Sequence, residues 1–377
     1  MASQDKLLFT PGPLTTSDTV KAAAVRDLGS RDTGFVQVVR EIRQMLLDLG
    51  GLQGNEDYTA ILMQGSGTFG VESVISSVIP QENGKLLVIV NGAYGRRIAA
   101  MAETSHIPTI ELSYPENSLP DLTEIEETLR LDEAITHVAA IHCETTTGLL
   151  NPIEDIGKIV AKYNRVYFVD AMSSFGAVPI NIVDSHIHFL VSSANKCIEG
   201  LPGFSFAIAH KETLLQTERY ARSMSLDLLA QWQGLEKNGQ FRFTPPVQVL
   251  LAFHQALVEI QEEGGVEGRG KRYSENNKII IEGMKKLGLE PYLDRDSQSY
   301  IITTFLYPEH PNFNFETFYN SLSDKGFVIY PGKLTQADCF RIGNIGRMNA
   351  SHMHGLLDAI AATFDEMEIE LVKEMDI

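Results

Sequence analysis

The chain has 377 residues, 44% hydrophobic and 21% charged, the make-up of a folded globular protein and not of a fibre or a disordered chain; it is longer than one core sustains, so one large and one smaller domain are expected. A formal net charge of -18 repels nucleic acid and anionic membranes, the start of the chain has no basic region leading into an apolar stretch, and no run approaches the roughly 18 apolar residues of a membrane span. Cys143, Cys197 and Cys339 lie far apart and are odd in number, which suits reduced thiols in an expected cytoplasmic protein, offers no zinc spacing, and leaves no nucleic acid, membrane or metal partner expected.

In chain order, Phe9-Thr-Pro-Gly-Pro-Leu-Thr-Thr reads as an irregular arm, because its prolines and glycine deny it regular hydrogen bonding. Thr33 to Leu49 carries apolar residues at helical spacing (Phe35, Val38, Val39, Ile42, Leu46, Leu47) and stops at Gly50-Gly51. A strand from Tyr58 to Met63 then runs through Gln64-Gly65-Ser66-Gly67-Thr68 into a helix from about Gly70 to Val78. Such a turn of small residues leaves backbone N–H groups and the positive helix end aimed at one spot, a place for a phosphate. Glycines also serve tight turns between any strand and helix, and the pattern is neither Gly-x-Gly-x-x-Gly nor a P-loop.

Strands and helices now alternate. Strands are expected at Leu86 to Val90, Thr109 to Leu112 and His137 to Ile141, and helices at Tyr94 to Ala102, Leu122 to Leu131 and Ile153 to Tyr163. The alternation predicts a mostly parallel sheet covered by helices. In Asn91-Gly-Ala-Tyr94-Gly95 an aromatic stands just past a strand end, where it either stacks on a flat cofactor or is an ordinary surface or core tyrosine. Glu144-Thr145-Thr-Thr-Gly148 packs hydroxyls into a strand-end loop, as donors for a ligand oxygen or, for at least one of them, as a helix N-cap.

Arg165 to Asp170 and Phe189 to Ser193 are short apolar runs bounded by turn residues, read as buried strands of the same sheet. In open α/β sheets the ligand crevice lies beyond the carboxyl ends of the strands, so Asp170 and Lys196 are placed to meet over one ligand. An acid that keeps a pyridine nitrogen protonated, paired with a lysine that bonds to an aldehyde, is what pyridoxal 5'-phosphate (PLP) requires of its protein. Taken singly, Asp170 is explained as a turn cap and Lys196 as a solvated loop lysine; together with the phosphate turn they point to PLP.

Beyond Lys196, Gly203 to Ala209 reads as another strand, and Arg242-Phe-Thr244-Pro-Pro-Val opens a long helix to Glu262 with proline at its start. From about Gly288 come a strand (Tyr300 to Leu306), a helix (Phe315 to Leu322), two strands (Phe327 to Tyr330, Cys339 to Ile342) and a terminal helix, a small α+β domain. The expected division is an arm (1–20), a large domain (21–265) and a small C-terminal domain (266–377). His186-Ile-His188 alternates like a strand with both rings on one face, as a metal pair could, but no carboxylate or cysteine cluster joins it. Cys339 lies in an apolar strand and not in a mobile loop, which argues against a persulfide role. Arg341 is a charge in an otherwise apolar strand, costly to bury alone; either a ligand's acidic group or a distant Asp or Glu answers it. Arg347 lies nearer the strand's end.

Phe9-Thr-Pro-Gly-Pro, Gly65-Ser-Gly-Thr68, Asn91-Gly-Ala-Tyr-Gly95, His142-Cys-Glu-Thr-Thr-Thr-Gly148, Val169-Asp170 and Ser192-Ser193-Ala-Asn-Lys196-Cys-Ile-Glu-Gly200 together resemble the class V aminotransferases of PLP fold type I. The likeness runs from about Leu7 to Phe364. It implies Lys196 as the lysine bonded to the cofactor and Asp170 as partner of its ring nitrogen, both catalytic. It implies Ser66, Gly67, Thr68 and Ser193 as cofactor ligands, Tyr94 in the place of a ring-stacking aromatic often filled by tryptophan, and Thr145 near the cofactor's phenolic oxygen. It further implies an antiparallel strand at Gly203 to Ala209, Thr244 reaching the phosphate of a neighbouring subunit in a homodimer, and Arg341 holding the substrate's acidic group. The activity implied is transfer of an amino group from a small-molecule amine, 2-aminoethylphosphonate, to pyruvate. An alanine or serine aminotransferase using glyoxylate or pyruvate is the alternative within the fold, and a non-catalytic phosphate- or nucleotide-binding module the alternative of another class.

Overall fold

The computed structural model describes residues 5–332, 334 and 337–370. Short apolar segments that alternate with amphipathic helices form a central sheet of β1 (Tyr58–Gln64), β2 (Leu86–Val90), β3 (Thr109–Ser113), β4 (His137–Ile141), β5 (Val166–Asp170), β6 (Phe189–Ser193) and β7 (Phe204–His210). Their spatial order is β1-β7-β6-β5-β4-β2-β3. β7 is antiparallel to both its neighbours, and every other pair is parallel. β2, β4 and β6 are buried along their whole length, which explains why they are continuous apolar runs and not alternating ones. Helix α1 (Thr33–Leu49) precedes the sheet, and α2 (Gly67–Val78), α3 (Ala93–Thr104), α4 (Leu122–Leu131) and α5 (Ile153–Lys162) follow its strands; α2 packs on β6 and β7, α3 on β2 and α5 on β5. One consequence fixes the site: the carboxyl ends of β1, β2, β4, β5 and β6 all open on the same edge.

One hydrophobic core runs from Val20 to Ile260, and a second joins Phe9 to residues between Ile280 and Ile369. The second core lies on a small antiparallel sheet of β8 (Ile302–Leu306), β9 (Tyr330–Pro331) and β10 (Cys339–Gly343) in the order β8-β10-β9. The first residues of the chain belong with it, since Leu7–Leu8 pairs in parallel with Phe327–Val328.

The structure departs from the sequence reading in several places, the short helices Asp18–Ala23 and Lys211–Leu215 among them. The helix after the phosphate turn begins at Gly67, not Gly70, so the turn itself is the helix's first turn. Helices α6 (Leu228–Asn238) and α8 (Gly265–Lys286), on either side of the expected α7 (Val247–Glu262), were not predicted. The inward face of α8 is mostly polar along its first half, burying Arg269, Tyr273, Asn276 and Asn277, with Ile280 and Met284 joining the core only near its end, so no continuous apolar stripe marks it. The expected strand Phe327 to Tyr330 splits between two sheets, its first half pairing with the arm and its second with β10. His186 sits in a turn at φ 50° and not in a strand, and no group of three or more potential ligands among the described residues is placed to hold a metal.

Candidate active site

Beyond the ends of β1, β5 and β6 lies a cavity lined by Ser66, Gly67, Thr68, Tyr94, Arg97, Asp170, Met172, Ser193, Asn195 and Lys196, with Val71, Ile98 and Met101 as an apolar wall. Its first element is the start of α2. The Ser66 hydroxyl makes no capping bond, and while Phe69 and Gly70 donate to the Ser66 carbonyl, no described side chain caps Gly67 or Thr68. The N–H groups of a first helical turn need such a partner, and an anion supplies it. Gly65 makes the turn possible: its φ is +97°, and a Cβ there would meet Phe69 Cγ at 2.7 Å. A Cβ on Gly67 would run into the Met172 side chain, so the helix end is packed directly on the turn that follows Asp170.

Asp170 ends β5. The Met172 N–H donates to Asp170 Oδ1 at 2.8 Å, and no described residue donates to the other oxygen. Burial pushes the carboxyl up to about 6, against the lowering effect of the Met172 N–H. Lys196 stands just past β6, its Nζ donating to the Pro11 carbonyl at 2.9 Å, and burial pushes its ammonium down to about 8. The arm is thus folded over the lysine. Gly12, at φ +118°, lets it come that close, since a Cβ there would meet Asn195 O at 2.6 Å and Lys196 Cδ at 2.8 Å.

Tyr94 is set by a buried acid. The Glu144 carboxylate accepts from the N–H groups of Tyr94 and Gly95 (3.2 and 3.4 Å) at the start of α3 and from the N–H and hydroxyl of Thr146 (3.1 and 2.6 Å). Burial raises the Glu144 carboxyl, and the same cause raises the Tyr94 phenol. The Arg97 guanidinium lies over the Tyr94 ring, 4.8 Å from its centroid.

Of the residues expected at the site, Ser66, Gly67, Thr68, Tyr94, Asp170, Ser193 and Lys196 line this one cavity, and Thr145, Arg341 and Thr244 do not. Thr145 is buried behind it, its hydroxyl bonded to that of Ser173 at 3.1 Å. Arg341 is fully buried on β10, its Nε and Nη2 donating to the Pro331 carbonyl at 3.0 and 2.9 Å and its Nη1 to the Thr145 carbonyl at 2.7 Å. Its guanidinium lies 5.0 Å from the Tyr330 ring centroid. Only carbonyls hold it among the described residues, without a carboxylate at ion-pair distance, so the distant Asp or Glu allowed for from the sequence is not found there. Thr244 is exposed on the surface, its carbonyl accepting from Gln64 Nε2 at 3.3 Å. Sequence reasoning passed over Arg97, Met172, Asn195 and Glu144. Arg97 was legible in principle, one helical turn beyond Tyr94. The loop after Lys196 is also pinned in a way no motif showed: Arg269 Nη1 donates to Cys197 O at 2.6 Å, and Tyr273 and Arg272 donate to Glu199 at 2.6 and 2.7 Å.

The family model described as aminotransferase class-V matches residues 15–334. The chain belongs to that family. Among curated relatives, this class-V aminotransferase is 51% identical over 362 residues to a 2-aminoethylphosphonate–pyruvate transaminase from Bacillus cytotoxicus, covering 96% of this chain and 98% of the relative. It is 50% identical over 356 residues to the transaminase of the same name from Bacillus mycoides, covering 94% and 97%. A ureidoglycine–glyoxylate aminotransferase from Bacillus subtilis superposes with a TM-score of 0.90 at 21% identity, over 99% of this chain and 96% of that one; at that identity the likeness speaks for the fold alone, that of the fold type I aminotransferases.

Proposed function

We propose that this class-V aminotransferase moves the amino group of 2-aminoethylphosphonate to pyruvate, giving phosphonoacetaldehyde and alanine, with PLP as cofactor. The observation that carries the reading is the meeting, at one sheet edge, of a half-buried lysine, a buried carboxylate with one oxygen unused among the described residues, and a helix N-terminus without a side-chain cap. These are the partners that an aldehyde, a pyridine nitrogen and a phosphate require. The identity of the substrates is supported by the transaminases about half identical to this chain over nearly its full length.

Each residue then has a task. Lys196 would hold the cofactor by a covalent bond to its aldehyde and, when the substrate amine displaces it, take the proton from the substrate carbon and return it. Burial suits it to this, because an ammonium lowered to about 8 gives up its proton more readily than a solvated lysine does. Asp170 would accept the N–H of the pyridine ring, and a cationic partner there would draw the buried carboxyl back to its ionised form. Ser66, Gly67, Thr68 and Ser193 would hold the phosphate, Tyr94 would flank the ring, and Thr145 would meet the phenolic oxygen. Arg341 would bind the phosphonate of one substrate and the carboxylate of the other, which is supported by a buried positive charge answered only by carbonyls among the described residues. The chemistry PLP supplies when bound is an electron sink for the carbon that loses its proton.

We further infer a cytoplasmic homodimer in which Thr244 of one copy reaches the phosphate held by the other. Supporting this, Thr244 is exposed, lies outside its own chain's cavity and follows Phe243, which is 41% exposed. No described helix is long and apolar enough to cross a membrane, and all three cysteines are buried and outside any disulfide. The reading is tested by loading the chain with PLP, reducing with borohydride and mapping the modified peptide. The cofactor is expected on Lys196; no uptake of PLP, or label on another lysine, would overturn the proposal.

A further inference from the structure

We propose that Arg97 is a ligand of the cofactor's phosphate, the counter-charge that completes the anion site begun by the start of α2. The inference rests on the PLP reading above and deepens it. Arg97 stands one turn after Tyr94 on α3, and its guanidinium lies against the Tyr94 ring at 4.8 Å from the centroid, a contact that restricts the long side chain to one side of the cavity. From there Nη1 reaches Thr68 Oγ1 at 3.5 Å, in the uncapped first turn of α2. Arg97 and Thr68 both line the cavity.

Charge decides what the arginine is for. Its neighbour Arg96 is paired with Glu116 at 2.6 Å, whereas Arg97 makes no ion pair among the described residues, in a chain of net charge -18. An arginine at a cavity mouth without a carboxylate partner in so acidic a protein is left for an anionic ligand. A phosphate monoester carries roughly two negative charges near pH 7, and a helix N-terminus offers the equivalent of about half a positive one, so the site at α2 is short of positive charge. A guanidinium fork supplies it in the geometry phosphate oxygens accept. Arg341 is not the residue for this task, since it lies outside the lining that holds Thr68 and the start of α2.

The test compares PLP with pyridoxal, which has the same ring and aldehyde but no phosphate. Cofactor-free full chain is titrated with each, following absorbance, for wild type, Arg97→Gln and Arg97→Lys; Arg97 is exposed, so both variants should fold. Arg97→Gln is expected to weaken PLP binding about 10- to 100-fold, the worth of one charge-assisted hydrogen-bonding group, and to leave pyridoxal within about twofold. Arg97→Lys should recover part of the loss by keeping a point charge. Equal weakening of both molecules would overturn the proposal, since Arg97 would then serve only to support Tyr94. So would unchanged PLP affinity with a raised KM for amine and pyruvate, which would assign Arg97 to the substrate's acid. Failure of the wild type to bind PLP would overturn the cofactor reading and this inference with it.

Discussion

Replacing Arg341 by lysine separates substrate recognition from scaffolding. The guanidinium is fully buried, spans the Pro331 and Thr145 carbonyls with three of its nitrogens at 2.7 to 3.0 Å, and stacks on Tyr330. Lysine keeps the charge but presents a compact ammonium that cannot lie flat on the ring or bind a phosphonate or carboxylate through two parallel bonds. If Arg341 binds the acid as proposed, losing one of two charge-assisted bonds, with some misplacement of the other, should take about 2 to 4 kcal/mol from transition-state binding, or roughly 30- to 1000-fold in kcat/KM. The carbonyl contacts are shared less well too, so stability should fall by about 1 to 2 kcal/mol. The assay follows alanine formed from pyruvate with 2-aminoethylphosphonate, and separately the amine half-reaction with a simple alkylamine of similar length. For Arg341→Lys the loss is expected with the phosphonate and nearly absent with the alkylamine. A variant equally impaired with both donors, or unimpaired with both, would show that Arg341 is scaffold and that the acid is held elsewhere.

Lys196→Ala should abolish turnover in a folded protein, because covalent anchor and proton carrier are lost together; more than a per cent or so of residual rate by the alanine assay would contradict the assignment. Asp170→Asn should keep bound PLP but lose most of the rate, and it should also change a pH profile. The Asp170 carboxyl is raised from 3.8 to about 6 in the fold, so between those values the folded cofactor-free chain holds a proton that the unfolded chain has released. Stability therefore falls as pH rises from about 4 to about 6, by at most about 3 kcal/mol; denaturant titrations should show this component flattened in Asp170→Asn and unchanged in Thr244→Ala. Thr244→Ala should weaken PLP retention by about 0.5 to 1.5 kcal/mol, and unaltered cofactor dissociation would remove Thr244 from the phosphate site.

The sequence was informative wherever function depends on strand ends. Asp170 and Lys196 follow buried apolar runs whose length and content identify them as strands, and a parallel sheet brings such ends to one edge whatever the helices do. Gly65-Ser66-Gly67-Thr68 was legible for a related reason, a backbone conformation that only glycine tolerates beside Phe69. What escaped were features made by long-range contact between polar groups. The first half of the helix Gly265–Lys286 buries arginine, tyrosine and asparagines, and apolar Ile280 and Met284 come only near its end, so hydrophobic periodicity misses it, although its Arg269 and Tyr273 pin the loop after Lys196. Glu144 looks like any loop acid until α3 is seen to start on its carboxylate. The arm's Pro11 meets Lys196 185 residues away, a closeness no local pattern encodes.

The central claim is the amine donor, and a single comparison tests it most directly: kcat/KM of the purified, PLP-loaded chain for 2-aminoethylphosphonate with pyruvate against alanine and serine with glyoxylate. The structure and its relatives predict that aminoethylphosphonate with pyruvate is used best, by a margin of about tenfold or more, the worth of one well-placed charged contact. Equal or better turnover of alanine or serine with glyoxylate would contradict it.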